Sequence, residues 1–166
     1  MALCPNTTWE QRKLGDIANL YDNLRVPIAE NLRQAGSTPY YGATGLQGYI
    51  DGYTHEGEFV LLAEDGASDL SDYPAYLISG LSWVNNHAHV LQADKEYSNN
   101  FFLLYSLKTL DYSKIVAGTS RAKLNASALI KLELKTPDSS EQQQIGTFFN
   151  GLDSLITLHQ RKRAFS

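Results

Sequence analysis

The chain has almost none of the residues that staple a fold or anchor it: of 166 residues one is cysteine, one is methionine and five are proline. A lone thiol, Cys4, closes no internal disulfide, which fits a reducing, cytoplasmic setting. No apolar run approaches the ~20 residues that cross a bilayer, and the opening MALCPNTTWEQRK lacks a signal-peptide core, so no membrane contact is expected. The prolines at 5, 27, 39, 74 and 137 are never adjacent, which excludes the proline-rich tetrapeptide with which an amino-methyltransferase holds its target base. No phosphate-binding G-x-x-x-x-G-K-[ST] loop occurs, and GATGLQG (42–48) has the wrong spacing for a dinucleotide fingerprint. No acidic cluster with a suitably spaced lysine marks a nuclease. A non-catalytic chain with no cofactor or metal of its own is expected.

A basic surplus is also missing. The 14 basic and 18 acidic residues give a net charge of −4, whereas free-standing nucleic-acid binders carry positive charge to displace counterions from phosphates. The distribution is uneven: residues 51–100 hold nine acidic groups against one basic, and residues 101–166 hold nine basic against five acidic. Any affinity for DNA has to draw on charge supplied by partners.

The first part is rich in glycine, tyrosine and turn dipeptides around short apolar runs, GEFVLLA (57–63) and SWVNNHAHVL (82–91), which predict short strands. SNNFFLLYSLKTL (98–110) places capping residues ahead of an apolar face at 101, 104, 105 and 107 and predicts a buried helix. IKLELKTP (130–137) alternates Ile130, Leu132 and Leu134 against Lys131, Glu133 and Lys135, the pattern of a half-buried or edge strand. The fold expected is α+β, a compact, mixed, strand-rich domain over residues 1–137 followed by a long coiled-coil-type helix over 138–166.

That last helix has the clearest signals. Ser139 and Ser140 form capping-box spacings with Gln142 and Gln143, and Glu141 at the start and Arg161, Lys162 and Arg163 at the end suit the helix dipole. Ile145, Phe149, Leu152, Ile156 and His159 recur at heptad spacing, widened by Phe148 and Leu155. Such a seam either projects to pair with another helix or folds back on its own domain.

His87 and His89, two apart, would start a metal site on a strand with His55 or Asp65, but no companion ligand motif is present, and core or loop histidines are the simpler reading. Glu64 and Asp65 read as an ordinary turn rather than an acid/base pair.

The order of six segments carries more than any one of them. WEQRKLGDI (9–17), STPYYGATGLQGYIDGY (37–53), LLAEDGA (61–67), WVNNHAHVL (83–91), AGTSRAKLNASALIKLELKTP (117–137) and EQQQIGTFFNGLDSLITLHQRK (141–162) together resemble one target-recognition domain, with the start of its spacer helix, of the specificity subunits of Type I restriction–modification systems. The resemblance implies a DNA-reading half subunit or fragment, since complete members carry two such domains and two helices. It implies as partners double-stranded DNA, a methyltransferase subunit and through it the restriction subunit, and a second copy or another half specificity subunit. S-adenosylmethionine, ATP and Mg are then expected on the partner subunits alone. The alternative is a truncated subunit that occupies the methyltransferase as a decoy without reading DNA.

Base reading needs donors and acceptors held on loops, with cations on phosphates. The first candidate is the loop with Gly118, Thr119, Ser120, Arg121 and Lys123, the second is Tyr40, Tyr41 and Thr44, and the third is Asn85, Asn86 and His87.

Overall fold

A computed structural model describes residues 8–65, 67–116 and 123–164. Among these residues the chain folds as an α+β structure with two sheets. One is a six-stranded sheet in the order β2-β7-β5-β6-β3-β4, formed by β2 (Ala18–Leu20), β3 (Thr38–Gly42), β4 (Gly45–Ile50), β5 (His55–Ala63), β6 (Ala75–Val84) and β7 (Ala88–Ala93). The other pairs β1 (Glu10–Lys13) with β8 (Glu133–Thr136), bringing the early chain beside the segment that leads into the last helix. The short helix α1 (Leu14–Ile17) follows β1 directly, α2 (Asn100–Lys108) follows β7, and α3 (Ala126–Leu129) precedes β8. The final helix, α4 (Ser139–Ala164), is 26 residues and therefore about 39 Å long.

Strand β5 explains why the sheet has apolar layers on both faces. Residues Phe59 to Ala63 are all buried, and their alternation sends Val60 and Leu62 to one core and Phe59 and Leu61 to another. The larger core adds Leu103 and Leu107 of α2, Leu14 and Ile17 of α1, and Leu91, Leu124 and Leu129. The smaller one closes around Ile78, Val84, Ala88 and Val90.

The sheet has to curl around that smaller core. Strand β6 reaches the start of β5, where His55 faces Ser82, whereas β7 pairs with its end, where Ala63 faces Ala88. Those two points of β5 are roughly 26 Å apart, and the chain from Ser82 to Ala88 spans at most about 22 Å. Gly57 and Gly80, opposite each other in the β5/β6 ladder, supply the bend with φ of +132° and +82°, conformations that only glycine adopts cheaply. Curling brings the 85–87 turn against two neighbours: Asn85 N donates to Tyr41 O at 3.0 Å, and Glu64 N to His87 O at 2.9 Å.

Three expectations are corrected. Asn85, Asn86 and His87 are not strand residues but the β6–β7 turn, because the run 82–91 is the junction of two strands. Ile130 and Lys131 complete the turn after α3, so β8 begins only at Glu133. In α2 the buried residues are Phe102, Leu103, Leu104 and Leu107, so Leu104 and Leu107 of the expected face are buried while Phe101 and Tyr105 are only half-buried, on the side where α4 packs.

The cap of α4 also differs: Asp138 Oδ1 accepts from Glu141 N at 2.9 Å, a role that the sequence pattern gives to the serines. Gln142 Nε2 donates to Tyr97 O and Pro137 O, tying the first turn to the domain. Both readings of the seam apply, to different halves of the helix. The first half lies on α2, where Tyr105 meets Phe149 at 5.3 Å between ring centroids and Tyr105 Oη donates to Asp153 Oδ2 at 2.9 Å. Beyond Asp153 Leu155, Ile156, Leu158 and His159 are exposed.

One buried polar cluster holds the segment 21–26 to the sheet. Asp22 accepts from His89 Nδ1 at 2.6 Å and from Val90 N at 2.9 Å. Arg25 bridges Asp22 at 3.2 Å, Glu64 at 2.6 Å and the Ala88 carbonyl at 2.9 Å. Lys123 Nζ lies 3.0 Å from the other Glu64 oxygen, and His89 Nε2 bonds Leu124 O at 2.7 Å. Burial pushes the Glu64 carboxyl up, but hydrogen bonds from Arg25 and Lys123, with the charges of His89 and Arg25, outweigh it and hold the group below its ordinary 4.5. Burial lowers His55 below its ordinary 6.5, against the opposing hydrogen bond to Tyr21 O.

Both groups bind protons less tightly in the folded chain than in the unfolded one, so stability is greatest above pH 6.5 and falls as pH drops. Urea midpoints are expected to decline first below about 6.5, through His55, and again below about 4.5, through Glu64. Glu64→Gln should cost about 3 kcal/mol at neutral pH, by leaving Arg25 and Lys123 without their carboxylate, and should remove the second decline.

The contact of α4 with α2 gives a paired prediction. A Cβ on Gly146 would lie 2.8 Å from Phe101 Cβ and 3.0 Å from the Phe102 nitrogen, whereas one on Gly151 meets nothing within 4 Å. Thermal unfolding should show Gly146→Ala destabilised by roughly 1–3 kcal/mol and Gly151→Ala stabilised by up to about 1 kcal/mol.

Candidate nucleic-acid interface

The curl of the sheet, and the segment pinned at Asp22 and Arg25, build a cleft of about 460 Å³. One wall is residues 27–29, held where Val26 N donates to Val84 O at 3.2 Å and Trp83 Nε1 donates to Val26 O at 2.8 Å. The other wall is Gln47 of β4 with the turn Asn85, Asn86 and His87. Tyr40 forms the floor, only 2% exposed, with the Arg33 guanidinium stacked over its ring at 4.0 Å. Arg33 Nε donates to Ile28 O at 3.3 Å, which fixes this cation at the mouth.

The cleft brings together two of the three segments expected to read DNA. Tyr40 contributes its ring as a floor, and its hydroxyl is turned to Ile28 O at 3.5 Å, so it is placed to support rather than to reach. Tyr41 is half-buried against Tyr76 at 6.0 Å between centroids, and burial, then the neighbouring Tyr49, raises its pKa above 10. Thr44 is exposed in the β3–β4 turn. Asn85 is 4% exposed, with its Oδ1 accepting from His87 N at 2.9 Å, while Asn86 and His87 are exposed. His87 Nδ1 pairs with Asp65 Oδ1 at 2.8 Å.

The remaining segment falls at the limit of what is described. Gly118, Thr119, Ser120 and Arg121 lie outside the described residues. Lys123 is described, half-exposed and engaged with Glu64. Sequence reasoning does not single out Arg33, Gln47 or residues 27–29. Arg33 leaves one faint signal, a lone cation in the polar stretch ENLRQAGS (30–37), and Gln47 leaves none.

The histidines do not converge. His55 bonds Thr54 and the Tyr21 carbonyl, His87 bonds Asp65, and His89 bonds Asp22. Asp22, Glu64 and His89 do bring ligand atoms within 4.8 Å of one another, a grouping that sequence spacing does not reveal. Arg25 and Lys123 already supply positive charge to those carboxylates, and both His89 nitrogens have partners, so the donor set does not fit a metal ion. Glu64 and Asp65 lie in the bend after β5, in keeping with the turn expected, and the Glu64 side chain is in addition a buried ion-pair member.

Known proteins place this geometry in a family. A chain of Haemophilus influenzae assigned as a type I restriction enzyme specificity subunit is 41% identical over 148 residues, which are 89% of this chain and 38% of that one. The crystal structure of the Type-I restriction-modification S subunit from M. genitalium superposes with a TM-score of 0.75 at 18% identity, covering 99% of this chain and 45% of that one. The HsdS subunit from Thermoanaerobacter tengcongensis does so with a TM-score of 0.63 at 13% identity, covering 97% and 41%. These likenesses establish the α+β fold with its long terminal helix, and the chain spans less than half the length of each relative. The family model for the Type I restriction modification DNA specificity domain matches residues 6–164, nearly all of the chain, which therefore belongs to that family.

Proposed function

We propose that this chain reads double-stranded DNA for a Type I restriction–modification assembly and carries no catalytic chemistry itself. The observation that carries this reading is the cleft, where Arg33, Gln47, Asn85, Asn86 and His87 converge on a chain of this family. Their amides and ring nitrogens suit base edges, and Arg33 and the basic last third suit phosphates. Residues 1–137 act as the recognition domain and 138–166 as the spacer helix. S-adenosylmethionine, ATP and Mg belong to the methyltransferase and restriction subunits. A decoy that only occupies the methyltransferase has no need of a polar cleft, and no specific observation favours it.

The helix supports the assembly role. Beside its docked half lies an apolar groove of about 510 Å³, lined by Trp9, Tyr105, Leu110, Ile145 and Phe149 among others. Phe148 at 62% exposed on the docked half, and Leu155 at 64% and Ile156 at 53% on the projecting half, continue the apolar surface along the helix. Antiparallel pairing with a second such helix covers this surface and sets two recognition domains at opposite ends, so a homodimer reads an interrupted palindrome and a hetero-pair a non-palindromic site.

Three measurements test this. Gel shifts should show weak, salt-sensitive duplex binding by the chain alone and specific binding with its methyltransferase subunit, because the chain's own charge is −4. Tight, salt-insensitive binding alone would overturn the reading. In the complex, Arg33→Ala should weaken binding to all sequences alike and reduce the salt slope by about 1, and Arg121→Ala should impair recognition with folding intact. Sedimentation equilibrium should show association of the parent that Phe149→Asp and Leu152→Asp abolish.

A further inference from the structure

Gln47 stands apart from the other groups lining the cleft. It sits on β4, exposed, yet its side chain folds back over Gly42 of β3: a Cβ built on Gly42 would fall 2.2 Å from Gln47 Nε2 and 2.7 Å from its Cδ. The amide fills the space that a missing side chain leaves. It also touches Asn85, whose Nδ2 donates to Gln47 Oε1 at 3.5 Å.

The orientation of this pair follows from the hydrogen bonds around it. Asn85 is buried, and one of its amide atoms accepts from the His87 backbone N–H, so that atom is the oxygen. The atom facing Gln47 is then the nitrogen, a donor, and Gln47 must meet it with its own oxygen. That leaves Gln47 Nε2, which lies over Gly42, without a hydrogen-bond partner among the described residues, at the wall of an open cleft. Asn85 is itself locked by the sheet, through its backbone N–H to Tyr41 O. The donor is therefore held in place before any ligand arrives, which lowers the ordering cost of using it.

We propose that Gln47 is a base-reading residue, donating from Nε2 to N7 of one purine in the major groove, and that Asn85 and Gly42 are the positioning residues that aim it. This rests on the reading of the chain as a DNA-recognition module. An amide N–H is the complement of purine N7, and the second lone pair on Oε1 remains available to the adenine N6 amino group, which makes adenine the base this arrangement fits. A guanine presents a second acceptor, O6, opposite Oε1 and is disfavoured.

The test uses the chain assembled with its methyltransferase subunit, its target first selected from random duplexes, and equilibrium binding to duplexes changed one base pair at a time. Gln47→Ala is expected to lose discrimination at one position, occupied by adenine in the parent site, by roughly 5- to 150-fold, with the other positions and the melting temperature unchanged. Gly42→Ala, which displaces the amide without altering it, should lose discrimination at that same position. Replacing that adenine by 7-deazaadenine should weaken the parent and leave Gln47→Ala unaffected, a coupling that a merely structural role would not produce. Unchanged discrimination at every position in Gln47→Ala, or a loss spread evenly over all positions, would overturn the assignment while leaving the DNA-reading function standing. A parent complex without sequence discrimination would overturn both.

Discussion

A charged group withdrawn from water destabilises a fold unless partners replace the water, and this chain concentrates that constraint at one point. Asp22, Arg25, Glu64 and His89 lie together beneath the surface, with Lys123 reaching in from outside, and they come from four separate stretches of chain. Because each carboxylate oxygen has a cation or N–H facing it, removing any member leaves another uncompensated. The cluster is thus more a device for fixing geometry than a source of net stability, since apolar residues of the same volume could fill the site at similar or lower free energy.

What it fixes is the segment 21–36, which has little regular structure of its own beyond two short 3-10 turns. Asp22 and Arg25 anchor its beginning to β7, Val26 hydrogen-bonds β6, and the chain then runs over residues 27–29 to Arg33. Without those anchors the cleft would lose one wall and its cation. The opposite wall depends on the curl of the sheet, which carries the 85–87 turn from the end of β6 to the far end of β5 and against β3. Local irregularity at the cleft therefore rests on rigid support behind it, as expected where loops carry recognition.

The terminal helix follows a different logic. Its docked half is specified by close approach, with Gly146 pressed on the backbone of α2 and Tyr105 between Phe149 and Asp153. Among the described residues its outer half keeps the large apolar side chains Leu155, Ile156 and Leu158 in water, an arrangement with a cost that association removes. The two halves are one heptad seam in the sequence, so the change of environment comes from where α2 ends and not from any change in the helix itself.

The amino-acid sequence by itself determined the α+β class, the long helix and its seam, the α2 cap region and the main apolar runs, because periodicity and capping are local properties that burial only amplifies. It also carried the family, through the order of six segments. It did not reveal that 82–91 is two strands with a turn, since a tight turn of Asn, Asn and His between apolar runs looks like a polar interruption of one strand. Nor could it place Glu64 in a buried cluster, or set Gln47 beside Asn85 and Arg33 over Tyr40. Apart from Arg33 and Tyr40, which are seven positions apart, those pairings join residues dozens of positions apart, and they exist only because the two-glycine bend at Gly57 and Gly80 curls the sheet and because Asp22 and Arg25 pin the segment that faces it.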